Sequence, residues 1–177
     1  MNREQLARAI YDASHITGEF LLRSGQISNE YFDKYMFTSD PVLLAAIAEG
    51  LAALVPDGTE VIAGLEMGAI PLAAALSGRT GLPAAYVRKT AKEYGTRRLS
   101  EGASVAGKRV CVIEDVVTTG GQILQSVPAL RELGADIDTV LCVIQRNPGA
   151  GEILAEQGLK LLPLFTMEYI KSLYCGQ

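Results

Sequence analysis

From Val61 onward the sequence repeats one unit: a short apolar run, a turn containing glycine, and a segment long enough for a helix. Residues 61–63, 84–87, 109–113 and 139–144 are the apolar runs, with helix-length segments at 69–77 and 119–133. Strands buried on both faces read as unbroken apolar stretches, and a helical crossover makes the strands that it joins parallel. The pattern predicts an α/β fold, a central and mostly parallel sheet flanked by helices. Upstream, Leu6, Ala9, Ile10 and Ala13 fall at helical spacing, which predicts a helix over residues 3–13. Residues 19–37, rich in Phe, Tyr, Leu and Ile and interrupted at Ser24-Gly25 and Ser28-Asn29, predict two short strands around a turn. Asp40-Pro41 opens a helix to about Leu54, where Pro56-Asp57-Gly58 stops it. The tail predicts a short helix near 150–157, a strand at 160–165 and a final helical turn. Residues 89–104 break the rhythm and read as a long loop, a kind of segment that is usually either functional or disordered.

At 177 residues the chain is the size of one domain, and with 49% hydrophobic against 20% charged residues it is too apolar to be disordered. No apolar run approaches the roughly 20 residues of a membrane-crossing helix. Even residues 62–76 are broken by Gly64, Glu66, Gly68 and Pro71. Charges run through the N-terminal segment, where a secretion signal needs an apolar core, so a cytoplasmic location is expected. Cys111 and Cys142 lie inside apolar runs without C-x-x-C spacing and read as core residues. His15, the single histidine, reads as structural or solvated, and Met36 and Met67 carry no cofactor pattern. Chemistry here is not expected to rest on histidine or on a metal cage of protein side chains.

The strongest chemical signal is residues 110–122. An apolar strand delivers Glu114 and Asp115; Val116 and Val117 follow, then Thr118, Thr119, Gly120, Gly121 and Gln122 open a helix. In an open α/β sheet, ligands bind at the C-terminal ends of the strands. The amide groups of residues 118–122, with the threonine hydroxyls, would form a phosphate pocket at the helix N-terminus. Paired carboxylates would repel that phosphate but suit two vicinal hydroxyls, such as those of a ribose. An ordinary helix cap needs one Asp or Thr, not this array.

A second signal lies in the long loop. Arg88, Lys89, Lys92, Arg97 and Arg98 put five of 16 basic residues within eleven positions, in a chain of net charge -4. Such a cluster suits a polyanionic ligand. Arg97 and Arg98 read equally well as solvated. Residues 62–71, a strand end running through Gly64 and Gly68 into a helix, offer amide groups to a second anion, although a plain β-α turn explains them as well. Arg146 stands just beyond an apolar strand, on the ligand-bearing edge.

These pieces resemble the type I phosphoribosyltransferases. Residues 110–122 are similar to that family's phosphoribosyl pyrophosphate (PRPP) motif, and the R-K-x-x-K-x-x-G run at 88–95 to the catalytic loop of its orotate-specific members, with Tyr94 where many have histidine. Residues 62–71 resemble the pyrophosphate loop, with Gly68 where some members place lysine. Residues 20–28, with Arg23 basic and Gln26 in place of a usual arginine, followed by Tyr31-Phe32-Asp33-Lys34, look like the N-terminal hood.

The resemblance implies a type I phosphoribosyltransferase fold in one domain: a hood of about residues 1–37 plus the C-terminal segment, and a core of about 40–147. It implies transfer of the phosphoribosyl group from PRPP to orotate, with Mg²⁺ as cofactor. The implied catalytic residues are Lys92 and Asp115. PRPP would be held by Arg88, Lys89, Lys92, Tyr94, Glu114, Asp115, Val116, Val117, Thr118, Thr119, Gly120, Gly121 and Gln122, and orotate by Thr118, Arg146 and Arg23. A homodimer sharing loop 88–104 between subunits follows from the same resemblance, with no nucleic-acid or membrane partner. The rival readings are a purine- or uracil-specific phosphoribosyltransferase, which would lack the hood and Arg146, and a non-catalytic PRPP-binding regulator.

Overall fold

The computed structural model describes residues 1–21, 25–90 and 99–174. A six-stranded sheet has the order β5-β4-β3-β6-β7-β8, formed by β3 (Val61–Leu65), β4 (Ala84–Val87), β5 (Ser100–Gly102), β6 (Arg109–Val117), β7 (Asp136–Gln145) and β8 (Lys160–Thr166). All neighbours pair in parallel except β4 with β5. The chain crosses outward from β3 through α4 (Ala69–Thr80) to β4, and then from β6 through α5 (Gly121–Glu132) and α6 (Ala150–Ala155) to β8 on the opposite side. Strand order therefore reverses between β3 and β6, which places a ligand crevice at their C-terminal ends.

Period-two alternation divides each apolar run between two layers. Ile62, Cys111 and Ile113 join a core with α3 (Pro41–Ala52), α4 and α1 (Arg3–Ser14), whereas Val61, Ala63, Val110 and Val112 join a core with α5 and α6. Gly64 lets α4 lie against β3, since a Cβ there would come within 2.6 Å of the Ala73 Cβ. The antiparallel pair β1 (His15–Leu21) and β2 (Ile27–Phe32) stands apart from the main sheet.

Three segments differ from expectation. Residues 34–37 are not strand: Asp33 accepts from the Tyr35 N–H at 3.0 Å and starts helix α2 (Lys34–Ser39). The long loop ends in β5, whose three residues take their pairing from β4 and carry no pattern of their own. β6 continues through the acidic pair to Val117, because β7 supplies ladder partners for Glu114, Val116 and Val117.

Helix starts divide into two kinds. α1, α2, α3 and α7 (Met167–Ser172) begin at Asn2, Asp33, Asp40 and Thr166, each accepting from a backbone N–H of the first turn. α4, α5 and α6, which follow β3, β6 and β7, begin at Gly68, Gly120 and Gly149 with no side-chain cap.

Candidate active site

The turn after β3 and the end of β6 meet at the crevice. Glu114 is 7% exposed and Asp115 0%. Glu114 Oε1 accepts from the Asp115 N–H at 3.0 Å, and Asp115 Oδ1 accepts from the Val116 N–H at 2.6 Å. Lys34 on α2 reaches the same carboxylate, with Nζ 3.0 Å from Oδ1 and 2.8 Å from Oδ2. Burial, followed by the Asp115 charge, pushes the Glu114 carboxyl well above the usual range. Burial alone would lower the Lys34 ammonium, but its bond to Asp115 and the two acidic charges raise it.

Gly68 completes this arrangement. A Cβ on it would overlap the Asp115 carboxylate, so the turn approaches β6 only with glycine at this position. Glu66 in the same turn accepts from the Lys89 N–H and donates its own N–H to Val87 O at 2.8 Å, tying the ends of β3 and β4 together. A cavity of about 250 Å³ opens here, lined by Lys34, Glu66, Lys89, Glu114 and Gln122 among others.

Beside it, a cavity of about 150 Å³ is bounded by Glu114 and residues 116–123. Its floor is the uncapped start of α5, where Gly120 has φ 78°, a left-handed turn that exposes the first amide groups of the helix. Thr118 and Thr119 are exposed at its rim. Glu114 lines both cavities, whereas Asp115 lies behind it under Lys34 and Gly68.

The residues expected to bind orotate only partly fall within the described segments. Arg146 sits at the end of β7, its N–H donating to Val117 O at 2.7 Å, and it lines cavities of about 40 and 720 Å³ facing the hood and α7. Thr118 follows the end of β6, the neighbouring strand, and Arg23 lies outside the described residues. So do Lys92 and Tyr94. Of the loop cations that are described, Lys89 faces the cavity of about 250 Å³, while Arg88 Nε lies 3.7 Å from Glu101 Oε1 across β4 and β5.

One feature escaped the sequence reading: Lys34 had no assigned role, although the Asp-Lys-Tyr start of α2 is a capping signal that would have put it on a helix. His15, read as structural or solvated, is tied into the fold: its Nε2 is 2.8 Å from Glu30 Oε2, and its ring stacks on Tyr11 at 4.7 Å, at the rim of the smaller Arg146 cavity.

A phosphate-sized pocket at an open helix end, beside a buried acidic pair at a strand-order reversal, defines a site for a phosphorylated sugar. The phosphoribosyl transferase domain family matches residues 36–158, and the chain belongs to that family. Within it the chain groups with the orotate phosphoribosyltransferases. That of Nocardioides sp. is 51% identical over 91% of this chain and 90% of its own length. That of Methanopyrus kandleri is 39% identical over 98% and 94%. Among solved structures, the Mycobacterium tuberculosis orotate phosphoribosyltransferase in complex with PRPP superposes with a TM-score of 0.82 at 30% identity, covering 96% of this chain and 98% of that one.

Proposed function

We propose that this protein transfers the 5-phosphoribosyl group from PRPP to orotate, releasing pyrophosphate and forming orotidine 5′-monophosphate for pyrimidine synthesis. The observation that carries the reading is the pairing of Glu114 and Asp115 with the open α5 terminus at the sheet's switch point. The α5 amides and the Thr118 and Thr119 hydroxyls take the 5′-phosphate, and the acidic pair takes the ribose hydroxyls. Lys89 faces the pyrophosphate side, joined by Arg88, Lys92 and Tyr94 from the loop. Arg146 pairs with the orotate carboxylate, with Thr118 and Arg23 completing that subsite.

Bond breaking at the anomeric carbon passes through a cation-like sugar, so the protein's work is to orient two substrates and exclude water. Little proton transfer is required, which suits the two cavities at the acidic pair, whose lining carries no histidine among the described residues. Among the described residues no group of three or more His, Cys, Asp or Glu side chains gathers to hold a metal. Mg²⁺ would arrive mainly with PRPP and its waters, and would supply positive charge against the departing pyrophosphate. The reading includes a cytoplasmic homodimer in which loop 88–104 serves the neighbouring site; Tyr35 and Met67, exposed large side chains beside the cavity, support a covering partner. No helix among the described residues is long and apolar enough to cross a membrane.

The test is the fall in orotate absorbance when PRPP and Mg²⁺ are added to the pure protein. Consumption of orotate with stoichiometric pyrophosphate is expected. No change, together with turnover of uracil or hypoxanthine, would overturn the assignment.

A further inference from the structure

Lys34 stands outside every segment that carries phosphate or ribose chemistry, yet its ammonium group contacts both oxygens of Asp115, at 3.0 and 2.8 Å. An exposed ion pair contributes little, because water screens both partners. Here one partner is wholly buried, and a buried carboxylate without a cation is driven toward its neutral form. The lysine is also held in place. The Asp33 N–H donates to Ser14 O at 2.8 Å, the Asp33 side chain caps α2, and Phe37 and Thr38 on that helix are buried.

Two adjacent carboxylates out of water do not both stay ionised without compensation. Lys34 bonds to only one of them; among the described residues Glu114 has a single backbone donor, the Asp115 N–H. We infer that Lys34 is a positioning residue for the ribose-binding pair: its ammonium, in contact with both Asp115 oxygens, holds that carboxylate in place behind Glu114 and so fixes the geometry that the pair presents to the ribose hydroxyls. The Glu114 carboxyl, raised by burial and then by the Asp115 charge, can donate to one hydroxyl and accept from another. The other groups that face the pair among the described residues are Tyr35 from α2, Glu66 from the turn after β3, Lys89 after β4 and Cys142 on β7. Lys34 is the one cation among them that touches a carboxylate of the pair.

This role rests on the reading of the site as PRPP-binding. The test is calorimetric titration with PRPP and Mg²⁺ from mildly acidic to mildly basic pH, using wild type, Lys34→Met and Lys34→Arg. In Lys34→Met the Kd is expected to rise on the order of tenfold at neutral pH, since a charge-bonded carboxylate loses its partner. Its acid-side loss of binding should begin at higher pH, because the Lys34 charge lowers the Glu114 carboxyl and its removal raises it further. Lys34→Arg should recover most of both properties, which a merely structural role would not predict for a longer, forked side chain. If Lys34→Met fails to fold, Lys34→Gln carries the same comparison. An affinity and an acid limb equal to wild type in the neutral variant overturn the role of Lys34. Absence of PRPP binding by wild type overturns the reading of the site instead.

Discussion

Gly68 and Asp115 share one small volume: the turn after β3 rests so closely on the β6 carboxylate that the α-hydrogen face of the glycine leaves no room for a methyl group. The turn after β3 and the carboxylate at the end of β6 are thus one packed unit.

Gly68→Ala is expected to displace Asp115 or the turn, and to damage PRPP use far more than folding. The Michaelis constant for PRPP should rise at least tenfold, on the scale of a lost charged hydrogen bond. Steady-state kinetics paired with a thermal melt separate the two effects. A variant with wild-type kinetics would show that the turn moves without consequence for the site.

Arg146→Ala is expected to raise the Michaelis constant for orotate roughly tenfold to a hundredfold while leaving PRPP affinity near wild type, as loss of a charge-assisted pair implies. Substrate-by-substrate kinetics check this. An equal loss for both substrates would move Arg146 out of the base subsite.

The Glu114 carboxyl, raised by burial and then by Asp115, makes stability depend on pH. The folded state binds this proton more tightly than the unfolded chain. The contribution is therefore complete below the ordinary Glu range and is lost as pH climbs through the raised value. Glu114→Gln, neutral throughout, should show a flatter denaturation midpoint from acidic to basic pH. Parallel curves for the two proteins would mean that Glu114 is ionised in the folded state.

Two glycines of the β3-α4 unit are expected to respond in opposite directions. Gly64→Ala would thrust a methyl against Ala73 Cβ and Ala69 O, at 2.6 and 2.7 Å, and should destabilise by about 1–3 kcal/mol as overpacking does. Gly78→Ala, with nothing within 4 Å and a helical backbone, should stabilise by about 0.5–1 kcal/mol. Urea titration measures both. Stabilisation by Gly64→Ala would contradict the close approach of α4 to β3.

The parallel core was legible because each of its strands is apolar on both faces and each crossover has helical length. The acidic pair and the glycine turn were legible because their chemistry is local in sequence. What sequence pattern hid is non-local. β5 exists only by pairing with β4, the extent of β6 is set by β7, and the meaning of Lys34 depends on a carboxylate 81 positions away. Gly68 reads as an ordinary turn glycine until Asp115 is placed against it. Arg23, Lys92 and Tyr94 rest on resemblance alone, since they lie outside the described residues.

The glycine starts of α4 and α5 leave two helices unfinished at the crevice, whereas α1, α2, α3 and α7 close their own first turns. An anion docking there supplies acceptors that the chain withheld, so the ligand acts as the missing last residue of the secondary structure. Occupancy should then be written in the backbone itself: the amides of residues 121–123 would slow their exchange with solvent when phosphate arrives, and the first turn of α5 would loosen each time product departs.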